Sequence, residues 1–69
     1  MKVTIQGVRY DTDKSTLLLN KQQDGWEAGL YMTPRSGQYF LAGSGGPMTI
    51  FRGRSRIIPL TPKEAKAFI

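Results

Sequence analysis

Three arginines spaced two residues apart are the strongest chemical signal in this sequence. Arg52, Arg54 and Arg56 lie between Gly45 and Pro62, an interval that contains no Asp or Glu to neutralise them. Because the planar guanidinium can bind two oxygens at once, Arg suits phosphate and carboxylate groups better than Lys does. The spacing therefore predicts a binding site for an anionic partner.

The element that carries these arginines decides how they are arranged. On one continuous strand, residues two apart point from the same face, so the guanidiniums would form a row with a spacing of about 6.6 Å. If Gly53 and Arg54 instead form a tight hairpin turn, which a leading Gly permits, the arginines cluster at its tip. Both arrangements concentrate positive charge. The structural alternative is a charged, solvated sheet edge that resists aggregation.

The whole chain is basic, which supports the same interpretation. Ten Lys and Arg against five Asp and Glu give a net charge of +5, which favours encounter with nucleic acid or an acidic protein surface. We expect Arg9 and Arg35 to add to the basic face. Trp26, Tyr31 and Phe40 are candidate aromatic contacts, because exposed rings can stack on single-stranded bases, although rings at such spacings also form cores.

The residue types argue against catalysis. His and Cys are both absent, which excludes a histidine base, a thiolate nucleophile, disulfides and most zinc sites. Asp11 and Asp13 lack a third oxygen ligand at the spacing of a calcium loop, so they predict a turn and not a metal site. We expect a protein that is not an enzyme and uses no metal or cofactor.

The sheet that must position these side chains centres on a hairpin. In residues 26–33, Trp, Ala, Leu and Met alternate with Glu, Gly, Tyr and Thr, which is the period of a strand with one buried face. A second apolar run covers residues 38–42. The intervening residues 34–37 begin with Pro and end with Gly, as tight turns do. We predict an antiparallel hairpin.

The length of the hairpin loop decides which side chains share a face. A four-residue loop places Leu30 opposite Leu41, whereas a three-residue loop places Leu30 beside Phe40 and turns Leu41 outward, because a one-residue slip exchanges the two faces. We favour the four-residue loop. Its buried face consists of Trp26, Ala28, Leu30, Met32, Tyr39 and Leu41. The apolar residues of the second face are expected to be covered by the rest of the chain or by a partner.

The remaining strands and loops follow from local patterns. Residues 2–10 predict one strand with a bend at Gly7, where the apolar face changes. Residues 16–20 contain three consecutive leucines and predict a short buried strand, followed by a turn at Gly25. Residues 43–47 predict a flexible connection and not a phosphate-binding loop, because no Lys-Ser or Lys-Thr follows the glycines.

The chain ends in a predicted helix. Thr61 is a good N-cap, Pro62 suits the first helical position, and Glu64 completes a capping box. The apolar face expected to dock on the sheet consists of Ala65, Phe68 and Ile69. Together, the patterns predict a single domain over residues 1–69 of the α+β class. It has a small antiparallel β-sheet of four to six strands in a meander, with one short C-terminal helix packed on it.

Three groups of motifs along nearly the whole chain also bear on its origin. They are Tyr10-Asp11-Thr12; Leu30-Tyr31-x-Thr33 with Gly37-x-Tyr39-Phe40-Leu41-x-Gly43-x-Gly45-Gly46; and Ile58-Pro59-Leu60-Thr61 with Glu64-Ala65. In these motifs the chain resembles a family of small uncharacterised proteins found in bacteria and their phages. The segment before Ile57 is shorter and richer in Arg than the family pattern. The resemblance implies a compact sheet with a C-terminal helix and a phage or mobile-element setting, where small proteins often bind and block host machinery.

Two classes of function remain open. The first is a binding module whose basic face meets nucleic acid or a nucleoprotein complex. The second is a protein-directed inhibitor of a host defence system, of the anti-CRISPR kind, with an aromatic residue or Arg54 as the anchor of its interface. No segment has the apolar length to cross a bilayer or the pattern of a signal peptide, so we expect a cytoplasmic protein. An open sheet edge would also allow a homodimer.

Overall fold

The chain folds as a four-stranded antiparallel meander and a separate two-stranded hairpin. A computed structural model describes residues 1–69. Its elements are β1 (Lys2–Ile5), β2 (Val8–Asp11), β3 (Thr16–Gln23), β4 (Trp26–Met32), β5 (Tyr39–Gly45), β6 (Ser55–Leu60) and α1 (Pro62–Phe68). Strands β3 to β6 pair in chain order, while β1 and β2 pair only with each other. The predicted fold class, a small antiparallel sheet with a short C-terminal helix, is confirmed.

The central hairpin has the register predicted from a four-residue loop. Leu30 of β4 lies opposite Leu41 of β5, and Met32 lies opposite Tyr39. The Thr33 amide donates a hydrogen bond to the Gln38 carbonyl oxygen at 2.9 Å, which closes the loop. Because cross-strand partners share a face, this register directs both leucines to the same core.

A first core lies between the sheet and the helix. Leu30, Leu41 and Phe51 are fully buried or nearly so, and Ala65 of α1 packs against them. Trp26 borders this cluster, with its ring 5.8 Å from that of Phe68. The amphipathic helix is thus held by burial of its apolar face, since seven residues would not stay helical alone.

A second core covers the opposite face of the same sheet. Phe40 of β5 is completely buried between Tyr10 of β2 and Tyr31 of β4, at ring-centre distances of 5.3 and 5.2 Å. Ala42 and Ile57 complete this cluster. The expectation that other parts of the chain cover the second face is therefore confirmed, and the cover is the β1–β2 hairpin.

The N-terminal segment is two strands and not the single bent strand predicted from residues 2–10. Gln6 and Gly7 have φ values of +51° and +79°, and Ile5 pairs directly with Val8. Two central residues with positive φ are the signature of a type I′ turn, whose twist suits a two-residue hairpin. The change of apolar face at Gly7 therefore marks a reversal of the chain, after which both strands contribute to one apolar face.

Strand β3 is longer and more exposed than predicted. It extends to Gln23 before the expected turn at Gly25, and both Leu17 and Leu18 are exposed. The prediction of a buried leucine run is wrong, because β3 is an edge strand and a β-bulge shifts its register between Leu17 and Leu19. Strands β3 and β6 both leave a free edge, and the homodimer through such an edge stays a prediction.

The glycine-rich stretch is largely a strand and not a flexible connection. Gly43 and Gly45 lie in β5, opposite Ala28 and Trp26. A Cβ atom at Gly43 would overlap the Glu27 carbonyl oxygen, so the missing side chain lets β4 and β5 approach closely. The glycines therefore serve packing within the sheet.

The start of helix α1 is confirmed in detail. The Glu64 amide donates to Thr61 Oγ1 at 3.1 Å, and the Thr61 amide donates to Glu64 Oε1 at 2.9 Å, which is a complete capping box. Ala65 and Phe68 pack against the sheet as predicted. Ile69 follows the last helical residue and is 77% exposed, so the prediction that it belongs to the docking face is wrong. With seven residues, the only helix is far shorter than the roughly 20 residues a membrane-spanning helix needs.

Candidate functional site

The arginine-bearing segment is an ordered loop that joins β5 to β6. We call residues 46–54 the arginine loop. At its base, the Gly46 amide donates to the Gly25 carbonyl oxygen at 2.8 Å and the Gly53 amide donates to the Gly46 carbonyl oxygen at 3.0 Å. Thr49 Oγ1 also donates to the Gly46 carbonyl oxygen at 2.7 Å and accepts from the Phe51 amide at 3.2 Å. These bonds fix the loop against the end of the sheet.

A single buried ring anchors the arginine loop to the protein. Phe51 is fully buried in the core beneath the helix, and its ring centre lies 6.2 Å from that of Trp26. Its neighbours Ile50 and Arg52 are not buried. The residue pattern did not identify this anchor, although Phe51 is the only aromatic residue between Phe40 and Phe68.

The tip of the loop is a tight turn at Arg52 and Gly53. Their φ values are +53° and +81°, and the Arg54 amide donates to the Phe51 carbonyl oxygen at 3.3 Å. This is the pattern of a type I′ turn, in which Asn or Gly is usual at the first central position. An Arg in the left-handed region costs free energy that Asn or Gly would not, so the backbone does not favour Arg52 at this position.

Neither predicted arrangement of the arginines is correct. Arg52 and Arg54 are exposed in the loop, whereas Arg56 lies in β6 and its Nη1 donates to the Ile50 carbonyl oxygen at 3.4 Å. The three side chains do not form a row on one strand. The tight turn lies one residue earlier than the predicted turn at Gly53 and Arg54, which leaves Arg56 outside the tip. All three nevertheless belong to the same end of the sheet.

The charge of this end is not compensated within the chain. No carboxylate lies within 4.0 Å of Arg52, Arg54 or Arg56, and the chain has a single ion pair, between Arg9 Nη2 and Asp11 Oδ2 at 3.9 Å. Guanidiniums that have no carboxylate partner can bind an external anion. The prediction depended on the absence of acidic residues from the local sequence. In the folded chain, no distant acidic residue pairs with these arginines either.

Arg9 and Arg35 lie at the opposite end of the sheet from the arginine loop. The loop contacts the start of β4, while Arg35 follows its end, and seven residues of strand span about 20 Å. Arg9 and Arg35 line one cleft together with Lys14, which the sequence did not single out. The five predicted arginines therefore form two separate groups and not one basic face.

The three predicted aromatic contacts do not form a stacking surface. Phe40 is completely buried and is wrong as a contact residue. Tyr31 is half-buried and stacks on Phe40 with an interplanar angle of 13°. Trp26 is half-buried against Phe51 and Phe68. All three rings belong to the two cores.

Apolar side chains in the arginine loop are more exposed than the aromatic rings. Met48 is 96% exposed and Ile50 is 54% exposed, and both lie within six residues of Arg54. An exposed apolar side chain beside unpaired arginines resembles the centre of a protein interface more than a solvated edge. The sequence pattern did not identify either residue as exposed.

The structure contains no group of three or more acidic side chains that could hold a metal ion. Compared with protein-family models, curated proteins and solved structures, the chain has no match in any of the three. The family resemblance noted in the sequence therefore stays a prediction.

Proposed function

We propose that this protein is a non-enzymatic binding protein that engages an anionic partner, nucleic acid or a nucleoprotein complex, through the arginine loop and Arg56. The observation that carries the proposal is the presence of three arginines at one end of the sheet with no carboxylate within 4.0 Å. Binding would take place in the cytoplasm. The chain has no Cys and needs no disulfide, which is compatible with that reducing compartment.

The arrangement of the side chains favours contacts to phosphate groups. Arg52 and Arg54 are exposed on a loop held by main-chain hydrogen bonds, so little conformational freedom would be lost by the backbone on binding. Because Phe40 is buried and Tyr31 is stacked on it, base stacking of the kind used by single-strand binders has no platform. We therefore expect binding to the phosphate backbone with little sequence preference.

The test is a fluorescence anisotropy titration of labelled duplex DNA and RNA at increasing salt. A double Arg52→Gln and Arg54→Gln variant should bind more weakly, and the slope of log K against log salt should fall by about 0.9 for each duplex phosphate that the variant no longer neutralises. The matched control is Lys63→Gln with Lys66→Gln, which removes the same charge from the exposed side of α1. Absence of binding at low salt, or an equal loss of affinity in the control, would exclude the proposal.

A second candidate is a protein-directed inhibitor of a host defence system, comparable to anti-CRISPR proteins. The exposure of Met48 and Ile50 beside the arginines favours it, because apolar and Arg anchors together dominate many protein interfaces. Affinity capture from nuclease-treated host lysate separates the two candidates. A protein that is retained by the wild type and by Ile69→Asp, but not by Met48→Asp, supports the inhibitor, and empty beads count against it.

A further inference from the structure

A second cationic site lies at the other end of the molecule from the arginine loop. The turn between β2 and β3 and the loop between β4 and β5 line a half-open cleft of about 420 Å³. Three cationic side chains and three hydroxyl groups line it: Arg9, Lys14, Arg35, Ser15, Thr33 and Ser36. No apolar side chain other than that of Pro34 lines this cleft, so the functional groups available to a ligand are the three cations, the three hydroxyls and the carboxylate of Asp11.

The hydroxyl groups of the cleft have hydrogen-bonding capacity to spare. Thr33 Oγ1 accepts from the Gln38 amide at 2.9 Å and lies 2.9 Å from Ser36 Oγ. When Thr33 donates to Ser36, the hydroxyl hydrogen of Ser36 is free for a ligand. Ser15 Oγ is buried without any hydrogen-bond partner, while Ser15 as a residue is only half-buried. Because Ser15 lines the cleft, a ligand oxygen bound there would supply the partner that this hydroxyl lacks.

One carboxylate also lines the cleft, and it lies near one of the three cations. Asp11 is buried, accepts a hydrogen bond from the Asp13 amide at 3.0 Å, and pairs with Arg9 at 3.9 Å. Lys14 and Arg35 have no carboxylate within 4.0 Å. The cations outnumber the carboxylate, so the cleft retains net positive charge, and Asp11 offsets part of the charge of Arg9.

We propose that this cleft binds the phosphate group of a phosphate monoester. Three cations and several hydroxyl donors suit a dianion with three free oxygens better than a carboxylate, which offers one charge and two oxygens. A terminal phosphate presents three free oxygens to the cleft, whereas an internal diester presents two and carries a substituent on each side. The site is separate from the arginine loop and does not depend on the function proposed for that loop.

The test is a chemical-shift titration of the ¹⁵N-labelled protein at constant ionic strength. The probes are inorganic phosphate, a nucleoside 5′-monophosphate, dimethyl phosphate and acetate. Saturable shifts should appear with inorganic phosphate and with the nucleotide, and should map to the amides of residues 14–16, 33 and 35–38. A lower Kd for the nucleotide than for inorganic phosphate would show that the ligand makes contacts beyond its phosphate group. Equal Kd values for these two probes would show that the cleft recognises the phosphate group alone.

The variants decide whether the cleft is the binding site. Arg35→Gln and Lys14→Gln should each weaken phosphate binding by about tenfold or more, as expected for loss of a charge-assisted hydrogen bond. Lys66→Gln removes the same charge elsewhere and should have no such effect. Lys63→Gln should likewise leave phosphate binding at the cleft unchanged. Shifts at residues 46–54 would report phosphate at the arginine loop and not in this cleft, so the two sites can fail independently. Binding of acetate or dimethyl phosphate as tight as that of phosphate, or equal losses in Lys66→Gln and Arg35→Gln, would overturn the proposal.

Discussion

Arg52 has an unfavourable backbone conformation, and its side chain is one of those proposed to bind the anionic partner. Its φ of +53° lies in the left-handed region, which disfavours residues other than Gly, Asn and Asp. Such positions are frequent where a side chain serves binding at the expense of stability. The sequence alone predicted the importance of this residue from its charge, but its conformation depends on the hydrogen bonds of the whole loop.

The backbone conformation at Arg52 predicts a trade-off between stability and binding. Arg52→Asn should raise the free energy of unfolding by about 0.5–1 kcal/mol, because Asn tolerates the left-handed region better. The same change should weaken binding to an anionic partner. Urea denaturation measures the first effect, with Arg54→Asn as the control, since Arg54 does not have a positive φ. An equal stabilisation in both variants would contradict the explanation.

Phe51 and Ile50 are adjacent residues with opposite environments. Phe51 is fully buried, so Phe51→Ala should lower the free energy of unfolding by about 3–5 kcal/mol through reduced burial and a cavity. Ile50 is 54% exposed, and Ile50→Ala should cost less than about 0.5 kcal/mol. Thermal or urea unfolding of both variants checks this difference. Similar losses of stability would mean that Phe51 does not anchor the loop.

At the scale of elements, the sequence predicted correctly those features that a few neighbouring residues determine. The four-residue loop after Met32 and the capping box of α1 depend on a few neighbouring residues, and both were predicted correctly. The β1–β2 hairpin was missed because its type I′ turn uses Gln6 and Gly7 in place of the usual Asn-Gly pair. The exposure of Leu17 and Leu18 could not be predicted either, since it follows from the position of β3 at the sheet edge.

The contact between β4 and β5 depends on a glycine. Gly43→Ala should destabilise the protein by about 1–3 kcal/mol, because the added Cβ would overlap the Glu27 carbonyl oxygen and force the strands apart. Gly46→Ala is the matched control: its φ is not positive and its Cβ would meet no atom closer than 3.8 Å. Urea denaturation should therefore show little change for this second variant. A loss of stability as large at Gly46 would contradict the explanation by overlap, because Gly→Ala by itself lowers the entropy of the unfolded chain and stabilises the protein.

At the scale of the whole molecule, the positive charge is divided between two ends of the sheet. The division could not be predicted from the sequence, because Arg9, Lys14 and Arg35 meet only through the pairing of β2 and the placement of two loops. Net charge and arginine spacing indicated an anionic partner without revealing that two groups exist. Long-range topology, which no short motif encodes, supplies that information.

The separation of the two groups predicts that their effects on binding are independent. Arg35 lies beyond one end of β4 and Arg54 lies in the loop at its other end, so the length of the strand separates them by about 20 Å. This exceeds the distance at which the effects of two mutations usually couple. For a nucleic acid that contacts the arginine loop and places a terminal phosphate in the cleft, the double variant should lose the sum of the two single free-energy changes, within about 0.5 kcal/mol. Anisotropy titrations of the four proteins at one salt concentration measure this. A larger deviation would show that the two ends bind as one unit.

Strands β4 and β5 are the only strands paired on both sides, and α1 and the β1–β2 hairpin cover their two faces. Their amide hydrogens should therefore exchange with deuterium more slowly than all others, and only through global unfolding. The β1–β2 hairpin shares no strand pairing with the sheet and should open first. Heating would then uncover Phe40 and Tyr31 while the helix side stays closed, giving a partly open form with exposed rings below the main melting transition.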